Sequence, residues 1–306
     1  MDIRRLKDVL ARKVMFVLCL GILSLVFLIG AGLYIRSLPV LVSSNIKDII
    51  FSSLWRPSQG MFGLAAFIAG TLWVTAIAML IAIPLSVLTA IYLSEYCHAR
   101  AREFVKPIID VLAGISPVIY GFWGMVAIVP LVRDHVMPFC SRRLPFFPFA
   151  SGNYTGFSVL TAGIVLAVMV LPIIISIAEE VLTAVPFGVR EASLALGATK
   201  WQTVKDVVLK KARPGILAAV ILGLSRAFGE TMAVLMVAGC AMNVMPKSIF
   251  DPGYPLPALI ANTYGEMMSI PLYDAAVLLA ALVLLVVTVM FNVVGWKILG
   301  KIEYEG

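Results

Sequence analysis

Six stretches of this chain are apolar over a length that few soluble helices reach, and that repetition constrains the fold more than any other feature. They cover about residues 14–35, 62–93, 104–131, 155–183, 214–239 and 272–296. Crossing the hydrocarbon core of a bilayer takes about 20 helical residues. In lipid the backbone must pair within the segment, so such a run becomes a helix. The spaced alternating segments of a membrane barrel are missing. Only 13% of the residues are charged, against about 25% in soluble domains. The expected fold is an all-α membrane protein with six transmembrane helices.

The basic residues orient the bundle. With both ends inside, 16 of the 24 Lys and Arg lie on the cytoplasmic side, seven lie outside and Arg226 falls within a span. Lys and Arg concentrate inside, so N- and C-termini are expected in the cytoplasm. The net charge of +7 is spread over loops and is no nucleic-acid footprint. Arg4, Arg5, Lys7, Arg12 and Lys13 precede the first run. That run is too long for a signal core and lacks a small-residue cleavage site, so it reads as a retained helix. Residues 36–60, 132–154 and 240–271 are then external connections, and the apolar Ile49, Ile50 and Phe51 can lie along the membrane surface. Cys140 and Cys240 both fall outside, which leaves a disulfide conceivable. Paired-Cys or paired-His spacing is missing, so no metal site is expected. A phosphate-binding Gly-x-x-x-x-Gly-Lys loop is also missing, so the chain is not expected to bind ATP itself.

Several runs are interrupted. Pro84 and Pro172 lie inside the second and fourth, where proline kinks a helix. In the third, Gly114, Ser116, Pro117 and Gly121 stand close together. They suit either a simple proline kink or a helix broken within the membrane, which requires protein or a water-filled cavity around it. In the fifth, Arg226 falls near the midpoint, with Ser225 beside it and Glu230 and Thr231 following. A charge there costs about 2.5–3.5 kcal/mol by insertion scales, so it should face protein or water. Residues four apart share a helix face, so Arg226 and Glu230 can neutralise each other. Two roles are open: a salt bridge that lets a polar helix insert, or an anion path in which Arg226 grips an oxyanion bidentately. On the second reading Ser225, Arg226, Glu230 and Thr231 line the path. Glu230 then holds Arg226 between steps or accepts a proton. Asp110, in the third run, either pairs with Arg226 or lies near the cytoplasmic interface.

Between the fourth and fifth runs lies a polar stretch, residues 184–213, too charged to span. Pro186 suits the first turn of a short helix. Gly197 can close that helix in a left-handed conformation. Thr199 and Gln202 have capping-box spacing and open a second short helix. A helix–turn–helix on the cytoplasmic surface is expected, though any basic amphipathic helix pair would share these signs. Glu179 and Glu180, just before it, either pair with its lysines or remain solvated.

This stretch resembles the Glu-Ala-Ala loop of ABC-importer permeases. Glu191, Ala192 and Gly197 stand at the family's spacing, Ser193 replaces the second Ala, Val207 replaces Ile, Leu209 matches and Lys210 replaces Pro. The resemblance implies a type I importer (MetI-like) permease core. It divides the chain into an N-terminal segment with the first helix and external loop (1–60), a core of five helices (61–299) with its coupling loop at 184–213, and a cytoplasmic tail (300–306). It implies that Glu191, Ala192 and Gly197 dock in a separate ATP-hydrolysing subunit and carry its motion. The fifth run, from Arg226 to Gly239, and residues Ser248 to Pro252 resemble PstC-type phosphate permeases. Sulfate and molybdate permeases usually show Gly-Glu-Phe-Gly at the corresponding place.

The expectation is a permease subunit of an ATP-driven phosphate importer in the bacterial inner (plasma) membrane. It is not itself an enzyme and holds no cofactor; ATP and Mg belong to the partner ATPase. The implied partners are a PstA-type permease, two PstB-type ATPase subunits, a PstS-type external phosphate-binding protein and membrane lipid, with no nucleic acid. Rival readings are a permease for sulfate, molybdate or phosphonate, a proton-coupled secondary transporter using Arg226 and Glu230 as a relay, and a membrane scaffold for a phosphate-sensing kinase.

Overall fold

The structure is a computed structural model and describes residues 3–43, 45–143, 148–149, 154–265 and 272–305. Helix α1 (Ile3–Ser43) runs for 41 residues, roughly 60 Å at 1.5 Å per residue. It outreaches the expected span at both ends. Most of its apolar side chains are exposed, and its packing partner is the last helix, α14 (Tyr273–Glu305). Gly30 of α1 faces Leu285 of α14.

Beyond α1 comes a small cap in which Ile49 is buried while Ile50 and Phe51 stay exposed. It consists of α2 (Ile46–Phe51) and a hairpin of β1 (Trp55–Arg56) with β2 (Met61–Phe62). Trp55 sets its ring edge-on against Phe62, Phe67 and Tyr273. Burying that aromatic draws the segment inward and buries Ile49 with it. Gly63 is required here, since a Cβ would fall 2.4 Å from the Ser52 carbonyl oxygen.

Helix α3 (Ala65–Ile91) continues past Pro84 and ends in a π turn, Tyr92–Tyr96. The third run is divided. Helix α4 (Ala99–Gly114) carries Arg100, Arg102, Glu103, Lys106 and Asp110 and is too polar to cross. Ile115 and Ser116 are extended, and α5 (Pro117–Trp123) restarts with its proline in the first turn. It leads through a π turn, Gly124–Ile128, to α6 (Val129–Leu131), a second π turn, Val132–Val136, and α7 (Met137–Arg143). These two π turns come just before Pro130 and Pro138, each of which lacks the N–H that would serve a carbonyl in the preceding turn.

Helix α8 (Val159–Ala184) is the centre of the core. Ser158 caps it by accepting from the Thr161 N–H, and α3 packs closely at Gly163. Next come α9 (Phe187–Ala195) and α10 (Lys200–Gln202). Pro186 is the N-cap of α9, one residue before the expected first turn. Helix α10 does not end as a separate short element. It runs through a π turn, Thr203–Val208, into α11 (Leu209–Gly229), because Lys210 imposes no break.

Gly215, Ala219 and Gly223 repeat every four residues on the face of α11 that meets α8, so the two backbones lie close. A Cβ at Gly215 would sit 2.4 Å from Val181, and one at Gly223 2.7 Å from Ile174. Gly223→Leu therefore overpacks this contact, at a cost of about 1–3 kcal/mol. It is expected to lower the melting temperature of the detergent-solubilised protein. An unchanged melting temperature would contradict the packing.

Glu230 and Thr231 interrupt the fifth run before α12 (Met232–Val237). Helix α13 (Leu256–Thr263) follows in the connection between α12 and α14 and docks on α3 at Gly70, where the Leu256 N–H donates to Thr71 Oγ1 at 2.9 Å. Among the described residues, five helices are long and apolar enough to cross a membrane: Val9–Ser43, Ala65–Tyr96, Pro117–Ser141, Val159–Thr183 and Tyr273–Gly300. The fifth of the six expected spans is the one divided at Glu230. Cys140 and Cys240 are free thiols, not a disulfide.

Candidate functional site

The two interrupted helices meet. Gly121 of α5 packs on α12 so closely that a Cβ would lie 3.0 Å from the Ala233 Cα and 2.8 Å from the Met236 sulfur. The breaks at Ile115–Ser116 and at Glu230–Thr231 thus stand just below a shared contact. Each is chemically satisfied. Buried Tyr120 donates its hydroxyl to the Leu112 carbonyl at 2.8 Å, serving an acceptor at the end of α4. The Glu230 carboxylate accepts from the N–H groups of Thr231 (3.2 Å) and Ala233 (3.4 Å), and so caps α12.

The expected Arg226–Glu230 pair does not form. Helical i,i+4 geometry ends at Gly229, and Glu230 is extended (φ −71°, ψ 124°), which turns its side chain toward α12. Arg226 is exposed and makes no hydrogen bond or ion pair with another described residue. The Tyr120 phenol lies within its electrostatic reach. Ser225 faces the other way. Its Oγ bonds the Ile221 carbonyl at 2.9 Å and meets Asn292 of α14. Asn292 escaped the sequence reading, although an Asn inside the sixth apolar run was the available signal. Thr231 Oγ1 donates to the Gly229 carbonyl at 3.2 Å. Asp110 accepts from Ser176 of α8 at 3.1 Å and does not join Arg226.

A second polar cluster ties α4 to α8. Glu179, 2% exposed, is held by Arg102, by Lys106 at 3.1 Å and by Thr183 Oγ1 at 3.2 Å. Glu180 reaches Lys106 at 3.4 Å. The partners are therefore on α4, not the lysines of 184–213, because α4 packs alongside the end of α8. The Glu179 hydrogen bond holds Lys106 above its ordinary pKa, against the opposing effect of desolvation.

The stretch 184–213 presents an apolar outer surface. Phe187, Leu194, Leu196 (90% exposed) and Trp201 stand out from it, and Glu191, Ala192 and Gly197 are exposed among them. Patches of this kind, rimmed by charge, mark contact sites for other proteins. Gly197 has φ +84°, and the Thr199–Gln202 capping box forms in both directions. On the inner side Ser193 Oγ lies 2.9 Å from Thr203 Oγ1 and the Lys200 ammonium 4.6 Å over the Tyr96 ring.

Residues 82–296 match the family model described as "Binding-protein-dependent transport system inner membrane component". The chain is 35% identical over 289 residues to the "Probable phosphate transport system permease protein PstC" of Methanocaldococcus jannaschii, covering 92% of this chain and 91% of that protein. It is 39% identical to the "Phosphate transport system permease protein PstC" of Xylella fastidiosa strain Temecula1, covering 79% of this chain and 75% of that one. Among solved structures, a chain of the MetNI methionine ABC transporter in an inward-facing conformation aligns with TM-score 0.52 at 21% identity, covering 78% of this chain and 94% of that one. At that identity the likeness concerns the fold alone.

Proposed function

Because the chain belongs to the family of binding-protein-dependent transport system inner membrane components, we propose that it is the permease subunit of an ATP-driven phosphate importer. The phosphate assignment draws on the names of its PstC relatives. The observation that carries the site is Arg226, exposed and unpaired among the described residues, beside two interrupted helices. A charge at that depth needs protein or water. The face that bears it therefore meets a second permease, of the PstA type, across a water-filled path.

Arg226 receives the phosphate there. Its planar guanidinium offers two parallel donors to a tetrahedral oxyanion, and its charge persists through the transport cycle. Glu230 does not compete for that guanidinium, since its carboxylate is engaged on α12. It keeps the break in place. Thr231 lies at the same break, and Ser225 holds α11 against α14 behind it.

Glu191, Ala192, Gly197 and the apolar side chains around them dock on a PstB-type ATPase. That subunit, present twice, holds ATP and Mg and performs the hydrolysis; this chain binds neither. A PstS-type binding protein delivers phosphate to the outer loops. Both termini lie in the cytoplasm of a bacterial inner membrane. The test is labelled phosphate uptake in phosphate-starved cells with and without this chain, against excess sulfate or molybdate. Loss of a sulfate-resistant uptake on deletion is expected. Unchanged uptake in cells lacking a second phosphate system would contradict the substrate assignment.

A further inference from the structure

Helix α9 has no buried residue, so apolar burial cannot fasten it to the membrane core. A polar clamp does. Arg190 directs its guanidinium inward, where Nη2 and Nε lie 2.7 and 3.2 Å from Glu95 Oε1, and Nε lies 3.3 Å from Oε2. The same Nη2 donates to the Leu182 carbonyl at 2.8 Å, and Nη1 donates to the Val185 carbonyl. Both side chains are withdrawn from solvent, Arg190 14% and Glu95 7% exposed. Glu95 sits in the π turn that ends α3, and Leu182 and Val185 mark the end of α8. One guanidinium therefore joins the coupling helix to both of the helices that form the centre of the core.

The surroundings explain why the clamp matters. Alongside it lies a cleft of about 780 Å³ between α9 and the core, lined among others by Thr183, Val185, Thr203 and Val204. Packing alone leaves α9 room to shift against the core. The other inner contacts, Ser193 with Thr203 and Lys200 with Tyr96, tie the stretch to its own second helix and to the end of the π turn. Neither reaches α8.

We propose that Arg190 is a positioning residue for coupling: through Glu95 and the last carbonyls of α8 it converts movement of α9 into movement of α3 and α8. A bidentate arginine suits the task, because a fork resists rotation as well as separation, which a lysine point charge does not. The proposal rests on reading 184–213 as the ATPase-coupling stretch.

The experiment uses the assembled complex of this chain, its partner permease and the ATPase subunits in vesicles, with external binding protein and phosphate. Phosphate uptake and ATP hydrolysis are measured together. Glu95→Gln keeps the shape of the side chain but weakens the clamp, and Arg190→Lys keeps the charge but loses the fork. Both are expected to retain the ATPase subunits and to hydrolyse ATP within twofold of the unaltered complex, while phosphate moved per ATP falls tenfold or more. Arg190→Ala with Glu95→Gln should be no worse than Arg190→Ala alone. A proportional fall of uptake and hydrolysis, loss of the ATPase subunits from Glu95→Gln, or an unchanged ratio would each overturn the proposal. Failure of the unaltered complex to couple uptake to ATP would instead overturn the coupling reading itself.

Discussion

Arg226→Ala is expected to lower phosphate uptake roughly tenfold to hundredfold, the loss of one charged hydrogen-bonding partner at about 1.5–3 kcal/mol. The complex should still assemble, because Arg226 makes no hydrogen bond or ion pair with another described residue that its removal would leave orphaned. Arg226→Lys should recover only part of the uptake, since an ammonium keeps the charge without the fork. Glu230→Gln gives the contrast. An amide oxygen can still accept from the Thr231 and Ala233 N–H groups that Glu230 serves, so uptake should fall far less. Uptake is read with labelled phosphate, and assembly by copurification of the ATPase subunits. Normal uptake by Arg226→Ala would remove the anion path from this helix. Equal losses in Arg226→Ala and Glu230→Gln would favour a working ion pair between them.

Gly197→Val is the second large effect. Gly197 has φ +84°, and nothing lies within 4 Å of an added Cβ. The penalty is thus one of backbone conformation, about 1–2 kcal/mol for an ordinary L-residue and worse for a β-branched one. Relief comes by opening the turn, which rotates α9 and its exposed Leu194 and Leu196 away from Trp201. About a tenfold loss of uptake is expected, with ATPase subunits lost on purification. Gly197→Asn should retain most activity, because Asn tolerates the left-handed region. Wild-type uptake and ATPase retention in Gly197→Val would show that this turn does not set the docking surface.

The features legible in the sequence were those written in local chemistry. Thr199 and Gln202 form the capping box that their spacing implies, and Gly197 takes the positive φ expected of it. The order of the apolar runs carries over into α1, α3, α8 and α14, though α1 extends past its expected run at both ends. What stayed hidden depended on where a helix stops. Arg226 and Glu230 have the right spacing to pair, but a single extended residue sends the carboxylate to α12. The Ser116–Pro117 pair left kink and break open, and extended backbone at Ile115 and Ser116 makes it a break. Partners distant in sequence were hidden for another reason. Glu179 has lysines close by in the chain, yet it pairs with Arg102 and Lys106 because α4 packs on α8. Arg190 and Glu95 are 95 positions apart, and only the tertiary fold brings α9 beside the π turn that ends α3.

The central claim is that phosphate crosses beside Arg226 under the drive of ATP hydrolysed by separate subunits. Purified complex in sealed vesicles, supplied with external binding protein, tests it most directly through labelled phosphate accumulation with and without internal ATP and Mg. The account predicts uptake that requires ATP, resists excess sulfate and collapses in Arg226→Ala. Uptake that proceeds on an imposed proton gradient without ATP, or that Arg226→Ala leaves intact, would contradict it.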